Sequence, residues 1–156
     1  MKRFMIAVMA LLLTVPAFAG PDSLKGLKTA KFVVDLNQGK GNVLKTRLSL
    51  IMETMDNIKE EGVKPVVVVA VRGPASRFMT VSNGYIAPED EAIKAEISAL
   101  TDELAARGVK LEQCAVALRM LDISPSDVQS EFTVVKNGYV SLIGYQNQGY
   151  ALLPME

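Results

Sequence analysis

The sequence contains no histidine and no tryptophan, and it contains one cysteine. Because Ser-His-Asp and Cys-His catalysis both need an imidazole, the absence of histidine excludes these two designs. It also excludes every zinc site that has imidazole ligands. A single cysteine excludes a disulfide within the chain and Cys-x-x-Cys redox chemistry. The reactions open to this protein therefore depend on few residue types.

The sequence also lacks net charge. Its 17 basic and 17 acidic side chains give a formal charge of zero, which gives no sign of a polybasic surface, so we expect no nucleic-acid partner. Hydrophobic residues make up 49% of the chain, which excludes a disordered protein. A length of 156 residues predicts a single domain.

The first residues have the pattern of an export signal. Lys2-Arg3 is a short basic start, residues 4–13 form an apolar run too short to span a bilayer, and Ala17-Phe18-Ala19 fits a cleavage site. We predict a signal peptide over residues 1–19 and a mature domain over residues 20–156. This domain would be exported to the bacterial periplasm, with no membrane attachment after cleavage. The alternative is an N-terminal anchor that the protein retains.

Short runs of β-branched and other apolar residues predict strands in the mature chain. The predicted strands cover residues 32–36, 66–71, 109–113, 132–135 and 150–153, and Pro154 is expected to end the last of them. The second run is apolar at every position, which is typical of a strand covered on both faces of a parallel sheet.

Apolar residues at spacings of three and four predict helices between these strands. The first stripe consists of Leu44, Leu48, Ile51, Met52, Met55 and Ile58, and the second of Ile93, Ile97, Leu100 and Leu104. Gly62 and Gly108 are expected to end these two helices. Shorter helices are predicted at residues 115–120, after a capping-box pattern at 124–127, and at residues 138–148 behind Asn137.

Alternation of strands and helices indicates βαβ crossovers and a parallel sheet between helical layers. We therefore predict an α/β protein with one flavodoxin-like, three-layer domain and a mainly parallel sheet of about five strands. In such sheets, ligands bind at the carboxyl ends of the strands.

A Gly-Lys-Gly segment, residues 39–41, follows the first predicted strand and opens the first helix. Leu44 stands where a dinucleotide-binding loop would need its third glycine, so the segment does not match that motif. The loop from Asn37 to Gly41 is thus a flexible turn, or a backbone site for a small anion in which Gly39 takes part.

Cys114 is the most informative residue, because it lies where the third strand gives way to a helix or turn. A thiol at a helix N-terminus ionises more readily than a free one. Arg72, followed by Gly73 at the end of the second strand, and Arg119, five residues beyond the cysteine, could approach it and favour a thiolate or an anionic sulfur substrate. The alternative is a buried, inert cysteine.

Three stretches of the chain together resemble the DsrE/DsrF family, which has the YchN-like fold. They are the strand, loop and helix over residues 31–61; the segment GVKLEQC over residues 108–114 with LDI at 121–123; and the C-terminal VKNG at 135–138 with YQNQGYA at 145–151. The likeness extends over about the whole mature chain. At the end of the second strand, Arg72-Gly73 stands where family members often carry His-Gly.

The resemblance implies a flavodoxin-like domain that assembles as trimers or hexamers. In the sulfur-oxidation members, the cysteine aligned with Cys114 accepts sulfane sulfur as a persulfide and passes it on. The first hypothesis is therefore a periplasmic sulfur carrier, a transferase-type protein with a donor or acceptor protein as partner. This chemistry needs neither a metal nor an organic cofactor.

Two other hypotheses remain open, both with a structural Cys114. One is a non-catalytic module that holds a small anion or organic ligand near Asn37, Gly39 and Arg72. The other is an oligomeric interaction protein in which Tyr139, Tyr145 and Tyr150 contribute to an interface.

Overall fold

The computed structural model describes residues 22–156, so the predicted signal peptide at residues 1–19 lies outside the described part of the chain. Five strands and four α-helices alternate along it. They are β1 Thr29–Leu36, α1 Gly41–Glu60, β2 Lys64–Val71, α2 Glu91–Ala106, β3 Lys110–Cys114, α3 Ala115–Met120, β4 Phe132–Val135, α4 Gly138–Asn147 and β5 Ala151–Met155. Short 3-10 turns cover Asp22–Leu24, Gly73–Phe78, Pro88–Asp90 and Pro125–Asp127.

The five strands form one sheet in the order β4-β3-β2-β1-β5, and all neighbouring pairs are parallel. The predicted α/β fold with a parallel, five-stranded, flavodoxin-like sheet is confirmed. Leu36 lies beside Val71, and Val71 lies beside Gln113. The register therefore brings the carboxyl ends of β1, β2 and β3 to one edge, where Asn37, Arg72 and Cys114 follow or end the strands.

The order of the strands decides which face each helix covers. From β1 to β4, each new strand is added on the same side of the one before it, and the chain then crosses back to β5 at the other edge. Because the crossovers are right-handed, the helix of the returning connection lies on the opposite face of the sheet from the helices of the earlier ones. Val34 and Leu36 accordingly pack with α1 and α2 in the larger core. Val33 and Val68 pack with Leu142 of α4 in a smaller one. Within residues 22–156, α4 is thus the helix that covers the face that carries Cys114.

The predicted stripe of α1 is buried in the structure: Leu44, Leu48, Ile51, Met52, Met55 and Ile58. In α2, Ile97 and Leu104 are fully buried. Gly62 and Gly108, which follow these helices, have φ values of +74° and +81°. This left-handed conformation favours glycine and ends each helix as predicted.

Two local predictions are wrong. Pro154 does not end the last strand but lies within β5, opposite Asp35. β5 is an edge strand, and a proline is tolerated there because the N–H it lacks can be one that faces solvent. The capping-box pattern starting at Ser124 opens only a 3-10 turn, without a hydrogen bond from the Ser124 side chain to the turn backbone. The Ser124 hydroxyl lies 2.8 Å from that of Ser126 instead.

Candidate functional site

A cavity of about 310 Å³ opens at the carboxyl ends of β1, β2 and β3. Four of the six predicted site residues line it: Asn37, Arg72, Gly73 and Cys114. The sequence prediction that these residues meet at one edge of a parallel sheet thus agrees with their positions. The rest of the wall comes from Pro74, α3 and Tyr139 at the start of α4.

Cys114 ends β3, and its side chain is buried with 4% of the residue exposed. Its Sγ accepts a hydrogen bond of 3.1 Å from the backbone N–H of Gly138, the first residue of α4. The sequence pointed to the helix that begins after Cys114, but that helix, α3, has six residues. The amide on the sulfur instead comes from the N-terminus of the ten-residue α4, whose dipole favours negative charge on the sulfur.

The glycine at the start of α4 allows the helix backbone to approach Cys114 closely. A Cβ atom at position 138 would lie 3.2 Å from the Cβ and 3.5 Å from the Sγ of Cys114. Glycine therefore lets the helix backbone come close to the thiol. Just before it, the Asn137 side chain accepts a hydrogen bond of 3.0 Å from the N–H of Tyr139, which caps the helix.

Arg72 is paired with a carboxylate that the sequence reasoning missed. Its Nε and one terminal nitrogen donate to the two oxygens of Asp35 at 2.6 and 2.8 Å. Both side chains are largely buried, at 14% and 12% exposure. The hydrogen bond from Arg72 to Asp35 raises the pKa of the guanidinium, although burial opposes this. Asp35 could have been found, since it is the one charged residue in the apolar run at residues 32–36.

The other terminal nitrogen of Arg72 faces Tyr139 and Asn37. It donates to the Tyr139 hydroxyl at 3.2 Å, and the guanidinium carbon lies 4.8 Å from the centroid of the Tyr139 ring. With the Asn37 amide oriented to satisfy its neighbours, the same nitrogen donates to the amide oxygen at 3.1 Å, and the amide nitrogen donates to the Arg72 carbonyl at 3.2 Å. The guanidinium is thus held on several sides.

The two glycines of the predicted site have different positions. Gly73 has a φ of +54°, and a Cβ there would lie 1.9 Å from the Asn37 side chain, so this lining position requires glycine. Gly39 does not line the cavity. A Cβ on Gly39 would lie 2.5 Å from the Cβ of Pro74, so this glycine lets its loop pack behind the wall.

Arg119 does not line the cavity either. It is exposed on α3, while the faces of α3 and the following turn that reach the cavity are formed by Val116, Ala117, Met120 and Leu121. The wall on this side is therefore apolar.

A second polar group lies under α4, on the same face of β3 as Cys114. Glu112 is 2% exposed and accepts a hydrogen bond of 2.7 Å from the Tyr145 hydroxyl, while Lys110 lies 2.8 Å from the same carboxylate oxygen. Burial by itself would raise the pKa of Glu112, but the contacts with Lys110 and Tyr145 outweigh it and lower that pKa. The Glu112 bond raises the pKa of Lys110. The network ties α4 to β3 next to the thiol, and sequence reasoning missed it.

Residues 22–156 contain no group of three or more Asp, Glu or Cys side chains placed to hold a metal ion. Of the helices in this part of the chain, none has the length and apolar character needed to cross a bilayer.

Comparison with known proteins agrees with this architecture. A search of curated proteins finds no match. Among solved structures, the chain is similar to a protein of unknown function from Methanobacterium thermoautotrophicum, MTH1491, with 17% sequence identity and a TM-score of 0.57. The alignment covers 81% of this chain and 97% of that one, and at this identity it supports the fold alone. The model of the DsrE/DsrF-like family matches residues 31–155. The chain therefore belongs to the DsrE/DsrF-like family.

Proposed function

We propose that this protein is a periplasmic sulfur carrier that holds sulfane sulfur as a persulfide on Cys114. The observation that carries the proposal is the hydrogen bond of 3.1 Å from the Gly138 N–H to Sγ, at the wall of a cavity of about 310 Å³. The positive end of a helix dipole can stabilise negative charge that develops on a sulfur atom, and a thiolate is the form of cysteine that reacts. The cavity volume is of the size that holds small ligands.

The reaction needs no general base other than water. The Cys114 thiolate attacks the outer sulfur of a hydropersulfide R–S–SH. A new S–S bond forms at Sγ, the bond between the outer sulfur and R–S breaks, and the R–S⁻ leaving group takes a proton from water. Attack of an acceptor thiolate on the outer sulfur reverses these steps. The Gly138 amide stabilises the charge on Sγ before attack and after release.

Intact-protein mass spectrometry tests this proposal directly. The mature chain is incubated with an organic hydropersulfide or with inorganic polysulfide and then weighed before and after reduction. The expected result is a gain of sulfur that reduction removes. Because the chain has one cysteine, Cys114→Ser is a matched control without any thiol, and an equal gain in that variant would overturn the proposal.

We also propose assembly into trimers or hexamers. The support is an exposed apolar strip on α4, consisting of Tyr139, Val140 and Ile143 at 57%, 64% and 58% exposure. Apolar patches of this kind mark interaction sites. Light scattering of the mature chain tests this proposal, and a monomer at micromolar concentration would contradict it.

The proposed periplasmic location rests on the pattern of residues 1–19. Expression of the full chain followed by fractionation and N-terminal sequencing tests it. A mature form that begins at Gly20 in the periplasmic fraction is expected. A full-length chain in the cytoplasmic fraction would contradict the location without affecting the chemistry proposed for Cys114.

The burial of Cys114 favours a second candidate function, a ligand-binding module in which the thiol is structural. In this case the cavity holds a small molecule without reacting with it. Alkylation of the folded protein separates the two functions, since a sulfur carrier must admit a small electrophile to Sγ. A thiol that stays silent until the protein is unfolded would favour the binding module.

A further inference from the structure

The cavity in front of Cys114 is mostly apolar. Its wall consists largely of Pro74, Val116, Ala117, Leu121 and the exposed side chain of Met120, together with the ring of Tyr139. Because these groups are mostly apolar, they would bind a carboxylate, a sulfonate or a phosphate weakly. Apolar walls instead favour ligands whose own apolar surface is removed from water on binding.

Among the residues that the structure describes, Arg72 is the one charged side chain that lines the cavity, and its charge is matched by Asp35. Two of its nitrogens are engaged by the Asp35 carboxylate, and the third is engaged by Tyr139 and Asn37. An anionic ligand would have to compete with a buried carboxylate for the same N–H groups. It would also bring a second negative charge close to the first, in a site of low dielectric.

We infer that the cavity selects a sulfur donor whose R group is apolar and uncharged, and that Asp35 determines this selectivity by neutralising Arg72. This inference rests on the proposed function and names its substrate class: an organic hydropersulfide R–S–SH with a hydrocarbon R group. The transferred sulfur meets Sγ at the Gly138 amide, while R lies against the apolar wall and leaves as R–S⁻, which water protonates. Donors that already carry a negative charge on the part that leaves, such as thiosulfate, are disfavoured.

The charge of the cavity can be measured without any sulfur transfer. Iodoacetamide and iodoacetate alkylate thiols by the same displacement and differ chiefly in charge. We expect the ratio of their rates at Cys114 in the folded chain to exceed the ratio in the urea-unfolded chain by about tenfold or more. An equal or smaller ratio in the folded chain would overturn the inference, and so would a folded thiol that neither reagent reaches.

Two variants assign the selectivity to Asp35. Asp35→Asn leaves the charge of Arg72 unmatched at nearly constant shape, and we expect the iodoacetamide preference to fall by about tenfold. The double variant Asp35→Asn/Arg72→Gln has no charge at either position and should regain most of the preference. Thermal unfolding verifies that each variant is folded. If a variant does not fold, the wild-type ratio by itself still decides whether the cavity disfavours anions.

A matched pair of donors then tests the substrate class. Benzyl hydropersulfide and its 4-carboxybenzyl analogue react through the same S–S bond, and only the second carries a remote negative charge. We expect sulfur transfer to Cys114 from the uncharged donor to be about tenfold faster. Equal rates, or faster transfer from the carboxylate, would overturn the inference but leave the sulfur-carrier proposal standing. No transfer from either donor would overturn the proposed function itself.

Discussion

The backbone N–H of Gly138 donates a hydrogen bond to the Sγ of Cys114 at 3.1 Å, across 24 positions of sequence. This contact joins the end of β3 to the start of α4. The thiol therefore lies at the N-terminus of a helix that comes from a later part of the chain. It also gives the site a point at which a single substitution separates the thiol from its hydrogen-bond donor.

Gly138→Ala should slow sulfur uptake by Cys114. The added methyl group would lie 3.2 Å from the Cβ of Cys114, which is tighter than most such contacts, so Cys114 or the start of α4 has to move by a few tenths of an ångström and we expect the hydrogen bond to lengthen. A hydrogen bond to a charged group contributes about 1.5–3 kcal/mol, so we expect uptake to slow by about tenfold or more. Time-resolved intact-mass measurement with a hydropersulfide donor gives the rate.

Gly144→Ala is the matched control, because it lies in the same helix and a Cβ there meets no atom within 4 Å. Alanine is the better helix former, so this variant should unfold with a free energy higher by up to about 1 kcal/mol and take up sulfur at the wild-type rate. If both variants slow uptake equally, the contact between Gly138 and Cys114 is not responsible.

Arg72→Met should destabilise the fold. The substitution leaves the Asp35 carboxylate largely buried without its partner, and breaking such a pair costs about 3 kcal/mol. The free energy of unfolding in urea measures this effect. Arg119→Met serves as the control, since Arg119 is exposed and a surface substitution changes stability by less than about 0.5 kcal/mol. Equal stability of the two variants would contradict the importance of the ion pair.

Stability should depend on pH through the network of Glu112, Lys110 and Tyr145. The pKa of Glu112 is lowered in the fold, so its stabilising contribution is present above the ordinary value of 4.5 and is lost as the pH falls through the folded pKa. The pKa values of Lys110 and Tyr145 are raised, so their contributions are present below the ordinary values of 10.5 and 10.0 and are lost as the pH rises above them.

Urea unfolding between pH 3 and pH 6 measures the acidic part of this pH dependence, because carboxyl groups ordinarily titrate over about pH 3–6. In Glu112→Gln the loss of stability below the ordinary pKa should be smaller than in the wild type, although stability near neutral pH is lower. Glu89→Gln, at an exposed position, should follow the wild-type curve. A parallel loss of stability in Glu112→Gln and the wild type would contradict the stabilising role of Glu112 in this network.

A charge on the apolar strip of α4 should dissociate the proposed assembly. Ile143→Lys places an ammonium group where the side chain is 58% exposed, so the isolated chain tolerates it but an apolar interface does not. Light scattering should report a smaller species than the wild type. Asn147→Lys, one turn further along the same helix and also exposed, is the control that should leave the mass unchanged.

Much of the fold follows from patterns within single segments. The apolar stripe of α1, the uniformly apolar run that becomes β2, and the glycines at positions 62 and 108 each predict an element correctly, because each depends on neighbours only a few residues away. The juxtaposition of Asn37, Arg72 and Cys114 also follows, since parallel strands bring their carboxyl ends to one edge.

The contacts that decide the chemistry of the site were not predictable in the same way. Asp35 and Arg72 are 37 positions apart, and Arg72 and Tyr139 are 67 apart, so no local spacing indicates that they meet. The outward direction of Arg119 depends on the rotation of the six-residue helix α3, which a sequence periodicity cannot specify over so few residues. Pro154 lies within a strand only because that strand occupies an edge of the sheet.

We expect Cys114 to accept sulfur from a donor with an uncharged R group. The most direct measurement is the intact mass of the mature chain after incubation with benzyl hydropersulfide, alongside Cys114→Ser. One added sulfur is expected in the wild type, removable by reduction and absent from the variant. A wild-type mass that does not change, or an equal gain in Cys114→Ser, would contradict it.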